Sequence, residues 1–412
     1  MTTPNTLQTI SMISRDAAMV LGNTLDLCKR VNRDHDQDFG VKAAQIGQTI
    51  NVRRPIRPTV RTGSVVDIQP IVETYSPLTF GNPIGADYAL TSQELTFSVE
   101  DYFDKVVKPS VVRIASEIEA QGNALINRFY GMVGTPGTAL TNTTARSAVA
   151  KALALLNKND SPREENRKTL LNDPDFNGVL TDSNSALFNP SSEISKMYTD
   201  GYQGTYASFT VFMNQLVGSH QVGTYSGSPV IAATFSPNTV WSVSSVISTS
   251  GWGSGVTTLN MGDTFTIAGV YMVNPQTKQT LSTLQQFVNV LTVSDTSGAI
   301  SMTVSPAIVT SGGFQNVSRA PTASDVITVA GASGAFTQYA LAFDRDAIML
   351  AAKELIPTSV GLGKTTTDDQ TGIPMRVVQA YDIRSNQEIM RFDVMIAWAT
   401  LYEQLAVKIC TL

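Results

Sequence analysis

The longest apolar pattern in the chain runs from Thr91 to Gly134 and predicts one very long helix. Its apolar residues recur every three or four positions, which keeps them on one helix face: Phe103, Val107, Val111, Ile114, Ile118, Leu125, Phe129 and Met132. We expect Pro109 to kink this helix rather than end it, because proline removes one backbone hydrogen bond. Gly131 and Gly134 supply the stop, and a helix of 34 residues from Ser98 to Gly131 is roughly 50 Å long.

Acidic residues mark the predicted start of this helix. Ser98 followed by Asp101 resembles a capping box, and Glu100 and Asp104 add negative charge at the positive end of the helix dipole. A helix this long with one narrow apolar stripe needs an extended sheet or neighbouring subunits along its length. A coiled-coil or bundle helix is the alternative interpretation, but no second helix of comparable length is predicted to pair with it.

The segment before the long helix is predicted to form an exposed β-hairpin. Residues 6–31 read as an amphipathic helix, and residues 40–90 then alternate β-branched with charged residues. Prolines interrupt this alternation repeatedly, for example at Pro55, Pro58 and Pro70. Since proline cannot donate to a β-ladder, strands this rich in proline are edge strands or an extended two-stranded arm.

Four arginines make this hairpin the most basic part of the chain: Arg53, Arg54, Arg57 and Arg61. A nucleic-acid patch would look similar, but no aromatic residues interleave with the arginines to stack on bases. We prefer pairing with acidic side chains of a neighbouring subunit. The candidate interface therefore combines these arginines with the acidic start of the long helix, at Glu100, Asp101 and Asp104.

The second half of the chain predicts a mixed domain that is interrupted by a β unit. A helix capped by Thr143 or Thr144 follows the long helix, and residues 135–236 mix helical and strand patterns. Residues 237–330 contain only five charged side chains, and their short apolar runs have the spacing of a small barrel or sandwich. The mixed pattern then resumes and ends in strands over residues 384–412, so the β unit is predicted to be an insertion.

Composition narrows the class of protein. The 412 residues are 42% hydrophobic and 15% charged, which excludes wholesale disorder. The net charge of -5 does not suit a protein that binds nucleic acid or an anionic membrane tightly. Cys28 and Cys410 lie at opposite ends of the chain, so we expect no disulfide framework and a reducing compartment. We expect no export signal and no membrane-spanning segment.

No motif predicts catalysis, a cofactor or a metal site. The segment GLGKTTTD at Gly361 lacks the first glycine of a phosphate-binding loop. The two histidines are far apart and belong to no metal-binding spacing. Two acidic pairs are interpreted as solvated loop acids: Asp344 with Asp346, and Asp368 with Asp369. We therefore expect that the chain is not an enzyme.

The order of these elements resembles the major capsid (coat) protein of tailed bacteriophages, of the type with a β-barrel domain inserted in the axial domain. The likeness is carried by TLQTISMISRDAAMVL, IGQTINVRRPIRPTVRTG, LTSQELTFSVEDYFDKVVKPSVVRIASEIEAQGNAL and FTVFMNQLVGSHQVGTYSG. Within the insertion, LNMGDTFTIAGVYMVNPQTKQTLSTLQQFVNVLTV is similar to the barrel segment of that family.

The resemblance implies an α+β fold with a long spine helix, an extended β-hairpin loop, axial and peripheral domains and an inserted small β-barrel. The implied domains are an N-terminal arm (1–36), an extended loop (37–90), and a spine helix with peripheral domain (91–133, completed by 391–412). The axial domain would comprise residues 134–236 and 331–390, and the inserted barrel residues 237–330.

The function implied by the resemblance is structural. Copies of the chain would assemble as hexamers and pentamers into an icosahedral shell around packaged double-stranded DNA, without sequence-specific binding and without a membrane. A scaffolding protein and a portal would be partners, with assembly in the host cytoplasm and no cofactor. The alternatives are an encapsulin-like cargo shell of the same fold and a cytoplasmic enzyme without a recognisable motif.

Overall fold

The structure is a computed structural model of the chain. It describes residues 13–21, 25–34, 49–58, 60–61, 63–66, 68, 73–91, 107–141, 144–163, 168–172, 205–238, 240–253, 257–295, 297–356, 362–368 and 371–411.

The described helices are few and the strands are many. The helices are α1 (13–21), α2 (Lys108–Ala124) and α3 (Ala145–Lys158), with short 3-10 turns at Leu27–Lys29, Leu125–Arg128, Arg345–Ala347 and Glu403–Leu405. The first strands are β1 (Thr49–Arg54), β2 (Thr74–Thr79), β3 (Ile84–Thr91), β4 (Gly131–Val133), β5 (Lys168–Asn172), β6 (Thr205–Tyr206), β7 (Phe209–Met213), β8 (Ser219–Gln221), β9 (Gly227–Ile231), β10 (Ser245–Trp252), β11 (Thr257–Leu259) and β12 (Thr264–Val273). The remaining strands are β13 (Thr280–Asn289), β14 (Val293–Asp295), β15 (Ala299–Ser305), β16 (Ile327–Val329), β17 (Phe336–Asp344), β18 (Ile348–Ala352), β19 (Leu362–Thr367), β20 (Pro374–Asp382), β21 (Gln387–Val394), β22 (Ile396–Thr400) and β23 (Ala406–Cys410).

The chain divides into two compact units. The first comprises residues 1–51, 77–123 and 348–399, and the second comprises residues 52–76, 124–347 and 400–412. The chain passes from the first unit to the second within β1 and returns within β2, and these two strands form a two-stranded sheet. The mixture of helices and sheets confirms the predicted α+β class.

The first unit contains α2 and a four-stranded antiparallel sheet in the order β19-β20-β21-β3. The apolar stripe of the helix is buried as its spacing predicts, at Val111, Ile114 and Ile118. Gly122 is buried on the same face, where Trp398 and Leu27 lie so close that any side chain would collide with them. The helix therefore packs closely in its own unit through these residues.

The second unit is built on a mixed sheet in the order β4-β23-β17-β5-β7-β6, which we call the main sheet. Strand β23 pairs parallel with β4 and antiparallel with β17, while β5 pairs parallel with β7. Helix α3 covers one face of this sheet with an alanine-rich stripe that packs on Leu170, Phe209 and Val407. Small side chains on the helix allow this close approach to the sheet.

The low-charge β segment forms a barrel within the second unit. Its sheet has the order β16-β12-β13-β15-β10-β9, and an antiparallel bridge between Val230 and Val326 joins the two ends. Closure removes the free strand edges that would otherwise pair with other chains. The barrel core is a cluster of its own that includes Phe265, Phe287 and Met302.

The connections of the barrel confirm that it is an insertion. The chain leaves the main sheet after β8 and returns to it at β17, and these two strands pair with each other, His220 opposite Thr337. The barrel sheet draws on β9 (Gly227–Ile231), which precedes the interval 237–330 given by the sequence pattern. Similarly β23, within the interval 391–412 assigned to the peripheral domain, lies in the main sheet of the second unit.

The predicted spine helix is shorter at its C-terminal end than its apolar pattern indicates. Residues 92–106, which include the predicted cap at Ser98, lie outside the described residues. At the other end the α-helix stops at Ala124, a 3-10 turn follows, and Gly131 begins strand β4. The predicted stop at Gly131 is wrong because parallel pairing of Gly131 with Val407 draws this segment into the main sheet.

Candidate subunit interface

Arg54 is a buried residue that makes all of its observed contacts within the second unit. Its Nε donates to Ser76 Oγ at 2.7 Å, and its Nη2 donates to both carboxylate oxygens of Glu403 at 3.2 and 3.3 Å. The guanidinium also lies over the rings of Trp241 and Tyr402, 4.1 and 5.3 Å from the ring centroids. The side chains of Arg54 and Glu403 are 5% and 12% exposed, so the ion pair is largely shielded from water.

The remaining arginines of the hairpin differ from Arg54 in exposure. Arg57 is half-buried, with its guanidinium 5.9 Å from the centroid of Phe314, and its backbone carbonyl leaves no room for a side chain at Gly313. The Arg53 side chain is 80% exposed and lies 3.6 Å from that of Glu73, which is 61% exposed. Arg61 is exposed and donates to backbone carbonyls of its own loop.

The loop between β1 and β2 carries exposed apolar side chains that nothing in the second unit covers, among the residues that the structure describes. Val60, Val65 and Ile68 are 91%, 83% and 89% exposed. Soluble monomers rarely expose several large aliphatic side chains in one segment, and such patches mark interaction surfaces. Arg54 and Arg57 therefore anchor the root of the loop, and the loop beyond them carries exposed apolar side chains.

The acidic half of the predicted interface, Glu100, Asp101 and Asp104, lies outside the described residues. The structure thus describes the four arginines, and their predicted contact with these acids stays a prediction. The partners that sequence reasoning missed are Glu403 and Trp241. One signal was available: Arg54 shares a strand face with the buried Val52, because side chains two apart in a strand point the same way.

No group of three or more metal-ligating side chains occurs among the described residues, and none of the helices they form has the length and apolar content to cross a membrane. Asp344 is fully buried, which corrects its interpretation as a solvated loop acid, and it accepts a hydrogen bond from the Asp346 backbone. Asp368, also buried, caps a turn by accepting from the backbone and hydroxyl of Thr371; Asp369 lies outside the described residues.

The comparisons with known proteins agree with this architecture. The family model described as P22 coat protein, gene protein 5, matches residues 21–407. No protein of curated function matches the chain.

Among solved structures, one from Mycobacterium phage Che8 is similar over 93% of this chain and 90% of that chain, with a TM-score of 0.50 and 11% identity. A virus-like particle from Pyrococcus furiosus is similar over 97% of this chain and 98% of that one, with a TM-score of 0.41 and 7% identity. The CUS-3 coat protein I-domain is 28% identical over 27% of this chain and 97% of its own, with a TM-score of 0.17.

A spine helix, a two-stranded extended loop and a mixed sheet carrying an inserted barrel define the fold of tailed-phage capsid subunits, and the phage structure supports that fold. The family match covers most of the chain, and the chain belongs to the P22 coat protein family. It is a major capsid protein, a structural subunit of the icosahedral shell of a phage virion, and the encapsulin-like alternative is not favoured over this function.

Proposed function

We propose that copies of this chain form the hexamers and pentamers of a closed shell around double-stranded DNA, with a scaffolding protein and a portal as assembly partners in the host cytoplasm. Membership of a phage coat protein family is the observation that supports this proposal. The acidic net charge suits a shell that surrounds DNA without binding it tightly. Within the shell, the loop between β1 and β2 packs its apolar side chains on a neighbouring subunit.

The chemistry of this contact follows from the exposures along the loop. Val60, Val65 and Ile68 are nearly fully exposed in the single subunit, so burying them against a neighbour supplies free energy for association. Arg53 and Arg61 add positive charge beside them, and Arg57 contributes from the loop root. We propose acidic side chains of the neighbour as their counterparts, with Glu100, Asp101 and Asp104 as candidates. Arg54 supports the contact indirectly by holding the loop root.

Replacing Val65, Val66 and Ile68 together by serine is expected to raise the protein concentration needed for shell assembly at least tenfold. Each aliphatic side chain buried at a subunit contact contributes roughly 1 kcal/mol or more. These side chains are exposed in the subunit, so its urea unfolding midpoint is expected to stay unchanged. Assembly with the scaffolding protein would be followed by light scattering and electron microscopy, in which the wild type forms hollow megadalton particles.

The control variant is Ile383→Ser, which removes an equally exposed apolar side chain at the end of the β20–β21 hairpin. Normal assembly by this control and failure by the triple variant would support the loop contact. Normal assembly by the triple variant would contradict the proposed loop contact. A wild-type chain that stays monomeric in the presence of its scaffolding protein would contradict the proposed shell assembly.

Reversing Arg53 and Arg61 to glutamate is expected to lower the yield of shells severalfold at low salt. The expected change in the free energy of unfolding is only about 0.5 kcal/mol, because both side chains are exposed. Added salt screens the charges and reduces the difference from wild type. Reversal of Arg384, which lies in an exposed turn, serves as the control. Wild-type yield from the double variant at low salt would argue against an ionic contact.

A further inference from the structure

The barrel and the main sheet meet through polar groups. Lys408 is fully buried on β23, and its Nζ donates to Gly262 O and to Thr264 Oγ1, both at 3.1 Å. Both acceptors belong to the barrel, at the turn before β12 and at its first residue. The ammonium group also lies 5.2 Å from the ring centroid of Tyr339 on β17.

Asp263 binds the same turn to the strand by which the chain enters the barrel. One carboxylate oxygen contacts His220 Nε2 at 2.8 Å, and the other accepts from the backbone of Gly223 at 3.1 Å and of Asn260 at 2.8 Å. Asp263 is 2% exposed and His220 is 6% exposed. These residues and Lys408 form one buried polar cluster between the two sheets.

Other contacts across this barrel–sheet interface are polar as well. The Gln286 side chain pairs in both directions with the backbone of Met132 on edge strand β4, with both hydrogen bonds 2.9 Å long. At the rim, Lys158 donates to Thr283 Oγ1 at 2.8 Å and Gln276 donates to Asp160 Oδ2 at 2.6 Å. A cleft of about 240 Å³ lies beside them, bordered by α3 and β13, so the interface is incompletely packed.

The apolar cores on either side of this interface are separate. The barrel core and the core between α3 and the main sheet share no residue. Strand β23 shows the reason: Val407 and Ile409 point into the second core, and the alternation of the strand turns Lys408 to the opposite side. Separating the two sheets would therefore return Lys408 and the other polar groups of the interface to water and leave both of these cores intact, with the ring of Tyr339 newly exposed.

We propose that the barrel–sheet interface is a joint at which the inserted barrel can separate from the main sheet as a rigid body, and that Lys408 controls its opening. The groups that face Lys408 are Asp263 from the barrel turn, Tyr339 on β17 and Cys410 on its own strand, with His220 beyond Asp263. A charged lysine is costly to bury, and opening the joint returns it to water.

The proton linkage gives this joint a defined response to pH. Burial lowers the pKa of Lys408 from 10.5 to about 8, with Cys410 and Asp263 acting in the opposite direction. Burial also raises the pKa of Cys410 to about 11. Above pH 8 the closed joint binds fewer protons at Lys408 than the open joint does, so rising pH favours closure. Between pH 7.5 and 9 the opening equilibrium constant should fall roughly eightfold.

Hydrogen exchange of the full-length, unassembled chain tests this proposal. The reporting amides are those of Met132, whose hydrogen bond to Gln286 crosses the joint, and of Gly223, whose bond to Asp263 lies at its border. After correction for intrinsic exchange rates, their protection is expected to rise roughly eightfold from pH 7.5 to 9. The ladders β12–β13 and β17–β23, which lie within the separated bodies, are the internal reference and should not change.

Two variants complete the test. Lys408→Met keeps the length of the side chain but cannot titrate, so its joint amides are expected to show no pH dependence. Lys158→Met removes an exposed bond of the same interface and is expected to behave as the wild type does. Equal protection at both pH values in the wild type, the same rise in Lys408→Met, or exchange of the reference ladders together with the joint would each overturn the proposal. The wild-type measurement decides even if Lys408→Met does not fold.

Discussion

Replacing Arg54 by alanine is expected to lower the free energy of unfolding by about 3–5 kcal/mol, as removal of one partner from a buried ion pair does. The Glu403 side chain, which is only 12% exposed, then has no Arg54 guanidinium to pair with. The packing of that guanidinium over Trp241 is lost as well. Ser76 also loses its donor. Urea unfolding of the unassembled chain measures the change.

Two further variants separate the ion pair from general effects of the hairpin. Arg53→Ala is the matched control, and its effect is expected to stay within about 0.5 kcal/mol because Arg53 and Glu73 are both well exposed. Arg54→Met combined with Glu403→Leu removes both charges and is expected to recover most of the lost stability. A loss below about 1 kcal/mol for Arg54→Ala would show that the loop root is not held by this pair.

Replacing Glu119 by alanine is expected to lower the free energy of unfolding of the first unit by about 3 kcal/mol, the second large effect that we expect. Glu119 lies on α2, is 4% exposed, and accepts hydrogen bonds from the backbone amides of Asp26 and Leu27. These amides open the 3-10 turn that precedes Arg30, so the carboxylate caps the root of the N-terminal segment. Leaving these two amides, that of Leu27 buried and that of Asp26 partly buried, without an acceptor costs about 1–3 kcal/mol each.

Cysteine labelling gives this prediction a local readout. Cys28 is fully buried in the same turn, and burial together with Glu119 raises the pKa of its thiol well above the usual range. Its alkylation should therefore be slow in the wild type and faster in Glu119→Ala, while Cys410, buried in the second unit, keeps its rate. Glu117→Ala, two positions earlier on α2 and more accessible, is the control and should change neither stability nor labelling. An unchanged rate of Cys28 labelling in Glu119→Ala would show that Glu119 does not cap this turn.

The spacing of apolar residues predicted those helices and strands whose buried face is defined by residues close together in the sequence. The stripe of α2, the alanine-rich face of α3 and the alternating strands of the inserted barrel each place apolar residues on one side, and that side is buried in the structure. The low charge of the barrel segment and the return of a mixed pattern after it were enough to predict an insertion. The family match agrees with the resemblance seen in these segments.

Periodicity does not specify which distant segments meet. Arg54 belongs to the most basic segment and was expected to face a neighbouring subunit, yet it contacts Glu403, 349 positions away. The end of α2 was misplaced for a related reason, since its apolar pattern continues to Met132 while pairing with β23 converts that residue to strand. Lys408 reads as an ordinary strand lysine, and only the barrel on the other side of β23 makes it a buried one.

The sequence by itself therefore determined the class of fold, the inserted barrel and the exposed hairpin, because hydrophobic spacing and proline act over a few neighbouring residues. The tertiary structure alone decided which charges are internal and which remain available to another subunit. The physical reason is that the energy of a charge depends on burial and on its partners. Both are set by strands and turns hundreds of residues apart.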